Sequence, residues 1–206
     1  MVNKNQKNRL WIRGILLFVI AGVLVFLVSL LNQKETSEER YGIWFSPTKP
    51  VLPFTLESTQ GGTLTQDNLK GQWTFIFLGY TRCPDICPTT MKLLHEVYIN
   101  LKEKGVKPLP SVIFVSLDPQ RDSVENVKQY VEAFDPHFIG LTGSPEAINK
   151  FAENMGIFQK SMNDGTIQHS GVVTVINPKG EVAAVFVSPK DADKMAADYE
   201  AAVGNR

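Results

Sequence analysis

Two cysteines, Cys83 and Cys87, stand four positions apart in the segment GYTRCPDICP, and the chain has no others. Pro88 disfavours helical geometry at the residue before it, and proline suits the first helical position. Cys87 is therefore expected at or just before a helix N-terminus, with Cys83 on a preceding loop turned by Pro84 and Asp85. At such a terminus the unpaired amides and the helix dipole favour thiolate over thiol. Arg82 adds to that effect, so both sulfurs are candidate metal ligands or redox centres.

A thioredoxin-type redox pair has two residues between its cysteines, whereas this motif has three, leaving more room for an ion between the sulfurs. Soft thiolates select Cu(I), zinc or iron–sulfur centres. Two cysteines cannot hold a four-cysteine cluster, and structural zinc needs two further ligands. Cu(I) is satisfied with three. The spacing leans towards copper, with thiol–disulfide chemistry still open. A purely structural disulfide would close so short a loop that it gives only about 2 kcal/mol.

Histidine would supply a third ligand, and the chain has three. His95 falls about two helical turns beyond Cys87 and reads as a packing or surface residue. His137, in DPHF, reads as a loop residue entering a strand. His169 lies in the polar segment DGTIQHSG, which feeds an apolar run and can come beside the cysteine helix. On position alone, ligand and plain loop residue are balanced readings of it.

These residues need a scaffold. Val51–Glu57 reads as a strand, followed by a Gly61-Gly62 turn into a short extended piece at Thr63 and Leu64. Trp73–Leu78 is a continuous buried-strand run leading straight into the cysteines. Thr89–Lys104 carries Leu93, Leu94, Val97 and Leu101 at helical intervals and stops at Gly105. Val112–Leu117 is another buried strand. Asp122 and Ser123 are candidate caps for a helix running through Phe134, and Ser144-Pro145 opens a helix ending near Gly156. Val172–Ile176 and Val182–Val187 form a hairpin, and Asp191–Ala202 a last helix. Strands alternating with helices predict an α/β fold with a mixed sheet flanked by helices, thioredoxin-like in its strand–cysteine–helix unit.

Residues 14–31 carry no charge over a length of roughly 27 Å as a helix, about one hydrocarbon core. They lack the small-x-small exit of a cleavable signal, so a transmembrane signal anchor is expected. Lys4, Lys7, Arg9 and Arg13 all precede it, which keeps the N-terminus in the cytoplasm and sends the body across the inner membrane into the periplasm or an equivalent compartment. Expected boundaries are 1–13 for the cytoplasmic end, 14–31 for the anchor, 32–45 for a polar linker and 46–206 for the globular domain. Basic and acidic residues number 21 each. With four of the basic ones ahead of the anchor, the body is mildly acidic, which argues against nucleic acid as a partner.

GYTRCPDICP, VSLDPQRDS, LTGS and the pair His169-Ser170 together resemble the Sco/SenC family, in the same order from Val51 to Val187. These are thioredoxin-fold copper chaperones for the binuclear copper site of cytochrome c oxidase subunit II. The resemblance implies that Cys83, Cys87 and His169 ligate copper, as Cu(I) and in some states Cu(II), taken from an upstream donor. Asp118 matches a family acid near the site and is not expected to be a ligand. The family often has aspartate before the histidine, where this chain has Gln168. On this reading the protein is a metallochaperone rather than an enzyme. The alternative is a thiol–disulfide oxidoreductase that cycles Cys83 and Cys87 and keeps the target's cysteines reduced. It gives His169 no obligatory role, and no proline precedes Val172 to play the part of the thioredoxin cis-proline. A peroxidase reading fares worse, because Thr81 and Cys83 are spaced one residue short of the peroxidatic pattern.

Overall fold

The computed structural model describes residues 22–24, 40–157, 159–161 and 167–204. The chain divides into two units, 1–39 and 40–206. Of the first, only the helical residues 22–24 are described, so the anchor expected over 14–31 otherwise lies outside the described residues. Among the described residues no helix is long and apolar enough to cross a membrane.

The second unit is built on β1 (Ile43–Pro50), β2 (Thr55–Ser58), β3 (Thr63–Thr65), β4 (Thr74–Gly79), β5 (Ser111–Ser116), β6 (Ile139–Thr142), β9 (Val172–Ile176) and β10 (Glu181–Val187). They form one sheet in the order β1-β10-β9-β4-β5-β6-β2-β3. A separate ribbon pairs β7 (Gln159–Ser161) with β8 (Ile167–His169). The helices are α1 (Ile86–Glu103), α2 (Val124–Glu132), α3 (Pro145–Asn154) and α4 (Ala192–Gly204). The mixed sheet flanked by helices agrees with the expected fold class.

β4 is the central strand. From Phe75 to Leu78 it is apolar without alternation, and every residue in the strand is buried. It runs parallel to β5, with Phe77 opposite Phe114, and antiparallel to β9, with Phe77 opposite Val173. Parallel pairing demands a crossover, which α1 supplies, and α1 packs on α4. Phe75 of β4 meets Tyr199 of α4 edge-on at 5.4 Å between centroids. Along α1, Met91, Leu94, Val97 and Leu101 are fully buried at helical spacing. The helix ends as expected at Gly105, whose φ of 72° is left-handed. Val106 then returns its amide to the Leu101 carbonyl at 3.0 Å.

The second unit starts at Arg40, and β1 begins at Ile43, within the span 32–45 expected as linker. The buried Asp198 of α4 holds this entry, accepting hydrogen bonds from the Tyr41 amide at 3.2 Å, the Gly42 amide at 2.8 Å and Trp44 Nε1 at 3.1 Å. Two expectations need correction. Within the polar segment 164–171, read as loop, residues Ile167–His169 form β8, with His169 opposite Gln159. Finally, α1 starts at Ile86 rather than Thr89, which draws Cys87 and Pro88 inside its first turn. Proline is accommodated there because first-turn amides have no partner within the helix.

Candidate functional site

The site is assembled where β4 ends. Gly79 stays paired with β5, its carbonyl accepting from the Leu117 amide at 2.7 Å. The chain then turns, and the Cys83 amide donates to the Tyr80 carbonyl at 3.2 Å. Thr81 inside this turn is held by the buried Asp122, which accepts from the Thr81 amide at 2.9 Å and from its hydroxyl at 2.5 Å. Asp85 caps α1, its carbonyl accepting from the Thr89 amide and hydroxyl.

Cys83 and Cys87 are both free thiols, Cys83 half-buried and Cys87 fully buried. Their side chains are hydrogen-bonded to each other. Room for the inner sulfur comes from Gly79, where a Cβ would stand 2.8 Å from Cys87 Sγ. The two thiols differ in electrostatics, which corrects the expectation that both favour thiolate. Burial pushes Cys87 far up, out of reach of the helix-terminus effect. Burial also works against a charge on Cys83. It is outweighed by hydrogen bonds from the Asp85 and Cys87 amides, the Cys87 thiol and the Tyr80 hydroxyl, and Cys83 is lowered. Position in the first turn is thus not enough: the half-exposed sulfur collects the donors, and the sealed one keeps its proton.

The β8–β9 segment is brought to this place from more than 80 positions away. Tyr80, itself buried, has its hydroxyl hydrogen-bonded to Cys83 and to the backbone of Ile167 in β8. Gly171, just before β9, is so close to Ile86 that a Cβ there would stand 2.5 Å from Ile86 Cδ1. His169 lies between these two contacts as the last residue of β8, and its side chain lies outside the described part. Gln168 is exposed and opposes Lys160. Among the described residues no three His, Cys, Asp or Glu side chains gather as a metal-holding group.

The other two histidines are engaged elsewhere. His95 Nδ1 lies 3.0 Å from Asp135 Oδ2, and His137 Nδ1 lies 2.8 Å from Asp135 Oδ1. They clamp one buried carboxylate between α1 and the loop before β6, in keeping with their reading as packing residues. Asp118 forms an ion pair with Arg121. The residue that sequence reasoning missed is Asp122. Its pairing with Ser123 reads as a helix cap, but only Ser123 caps α2, at 3.2 Å to the Asn126 amide. Asp122 turns inward instead.

Comparison with known proteins agrees with this geometry. A family model described as SCO1/SenC matches residues 46–204. The mitochondrial protein SCO1 homolog 1 of Arabidopsis thaliana is 36% identical over 148 residues, covering 69% of this chain and 44% of that protein. A SCO2-like protein of Rickettsia prowazekii (strain Madrid E) is 30% identical over 176 residues, covering 82% of this chain and 85% of that one. Against the Arabidopsis relative, then, the chain spans under half the length. Among solved structures, Arabidopsis thaliana ScoI with copper bound superposes with a TM-score of 0.72 at 32% identity, over 75% of this chain and 98% of that one. A match over most of the body, with the two cysteines at the helix start, places this chain in the SCO1/SenC family.

Proposed function

We propose that this chain is a membrane-anchored copper chaperone that delivers copper to the binuclear copper site of cytochrome c oxidase subunit II during oxidase assembly. The observation that carries the reading is the juxtaposition of Cys83 and Cys87, two soft donors hydrogen-bonded to each other at the mouth of α1. They belong to a chain of the same family as a copper-bound relative. The donor set fits the cargo: two thiolates and one imidazole suit Cu(I). Cys83, Cys87 and His169 are the ligands on this reading. His169 is the histidine of choice because its strand is tied to the cysteine loop through Tyr80, whereas His95 and His137 share Asp135. The metal is received from an upstream donor and leaves by ligand exchange, the target's donors replacing the three residues one at a time. Binding copper displaces the thiol protons, so loading weakens as pH falls. Residues 14–31 anchor the protein in the inner membrane, with the domain in the periplasm or an equivalent compartment.

The test is copper content of the full chain after reconstitution with Cu(I). Wild type retains about one copper per chain. Cys83→Ala, Cys87→Ala and His169→Ala each lose most of it, and unchanged content in all three rejects the reading.

The unequal thiols favour a second activity at the same place. A thiolate-prone, half-exposed Cys83 beside a protonated, buried Cys87 is the arrangement of an attacking and a resolving thiol. Reduction of the target's cysteines before loading uses both sulfurs and leaves His169 idle. Dithiol exchange with the oxidised target in copper-free buffer separates the two activities, because His169→Ala keeps exchange and loses copper.

A further inference from the structure

We propose that Asp122 is the positioning residue for Cys83, holding the turn that presents its sulfur through a buried carboxylate bound to Thr81 and Ser116. It rests on the reading of Cys83 and Cys87 as the working pair and adds a residue that pair does not contain.

Asp122 is 1% exposed, yet it lies ahead of α2 in a polar, turn-rich segment. Its Oδ2 accepts from the Thr81 amide at 2.9 Å and the Ser116 hydroxyl at 2.6 Å, while Oδ1 accepts from the Thr81 hydroxyl at 2.5 Å. Its backbone is fixed as well. The Asp122 amide donates to the Asp118 carbonyl at 2.9 Å, and its carbonyl accepts from Thr142 Oγ1 at 3.2 Å. The carboxylate is thus a rigid post. What it holds is Thr81, the second residue of the turn closed by the Cys83 amide on the Tyr80 carbonyl. Ser116 is the last residue of β5, so the post ties the exits of β4 and β5 together where the cysteine loop leaves the sheet.

A buried carboxylate costs free energy unless its oxygens are matched by donors. Helix capping does not explain its burial, because Ser123 performs that task. Gripping Thr81 by both amide and hydroxyl removes freedom from the residue two positions before Cys83. That keeps Cys83 Sγ near Cys87 and raises the effective concentration of one thiol at the other. Disulfide formation needs Cα atoms about 4.4–6.8 Å apart with a defined torsion, so loosening the turn disfavours it.

The test is a copper-free equilibrium of the full chain in detergent with glutathione. One oxidised glutathione takes the two electrons and two protons of the Cys83 and Cys87 thiols, giving the protein disulfide and two reduced glutathiones. Asp122→Ala lowers the equilibrium constant for disulfide formation by about tenfold, equivalent to about 30 mV in the dithiol couple. Asp122→Asn restores it to within about threefold of wild type. Its carbonyl oxygen can accept from the Thr81 amide and Ser116, and its amide can donate to the Thr81 hydroxyl. Thr81→Val, which keeps the amide contact, lowers the constant by about threefold. Circular dichroism and urea midpoints establish which variants are folded. A folded Asp122→Ala with an unchanged constant overturns the proposal, as does an Asp122→Asn variant that behaves like the alanine one. If Asp122→Ala does not fold, Thr81→Val decides, and no shift there overturns it. Because copper is absent, failure of copper loading leaves this result standing.

Discussion

Gly79 and Cys87 are in direct contact: a methyl group on the glycine would stand 2.8 Å from the cysteine sulfur, and also 3.0 Å from Phe114 Cε2 and 3.2 Å from Phe77 Cε1. The two rings are fully buried in the sheet and cannot recede. Gly79→Ala therefore displaces the sulfur or strains the strand. We expect a loss of about 1–3 kcal/mol in urea unfolding, the usual range for overpacking, accompanied by reduced copper retention. A variant with wild-type stability and wild-type copper content shows that the contact is slack.

The two thiols should be chemically distinguishable. At pH 7, iodoacetamide is expected to modify Cys83 at least about tenfold faster than Cys87, since the thiolate is the nucleophile. Because the Cys83 value is lowered, its rate should rise with pH and level off before the ordinary thiol range, with Cys87 silent throughout. Peptide mass spectrometry over a pH series reads both residues in one experiment. Equal rates at the two positions contradict the asymmetry.

Asp135 links two histidines and carries a pH signature. Burial opposes its charge, but hydrogen bonds from the His137 amide and ring and from His95 outweigh it, so its carboxyl lies below the ordinary aspartate value of 3.8. A folded value below the unfolded one adds stability that is fully present above about pH 4 and lost as pH falls through the folded value. Asp135→Asn should cost about 1–3 kcal/mol at neutral pH, a difference that shrinks on acidification, read from urea midpoints at several pH values. Copper content should not change, because both histidines are engaged by Asp135.

The fold was largely legible because β4, β5, β9, β10 and α1 owe their form to local pattern: unbroken apolar runs for buried strands, and Leu94, Val97 and Leu101 at helical spacing. What escaped depends on contacts distant in sequence. The start of β1, residues 43–45, reads as linker, whereas Asp198, far along the chain, accepts the Tyr41 and Gly42 amides just ahead of it. The two cysteines were legible as a pair but not as unequal. Their difference comes from burial of one sulfur under β4 and from Tyr80 reaching the other, and neither is written in the spacing. Asp122 looks like a cap by position, and only the folded turn shows that it faces Thr81. The one local clue was that Asp122 and Ser123 stand side by side while a helix start needs a single capping residue.

The neighbours of β4 differ in when they are made. β5 follows within a few dozen residues, but β9, the antiparallel partner on its other edge, belongs to the last part of the chain. During vectorial synthesis, the cysteine loop and α1 emerge well before residues 167–176. Until those residues arrive, one edge of β4 is uncovered and the Tyr80 hydroxyl has no Ile167 backbone to meet. The nascent protein therefore passes through a stage in which both thiols exist without the segment that carries His169. Under oxidising conditions that interval leaves the pair open to premature oxidation, and its length is set by the order in which the strands are made.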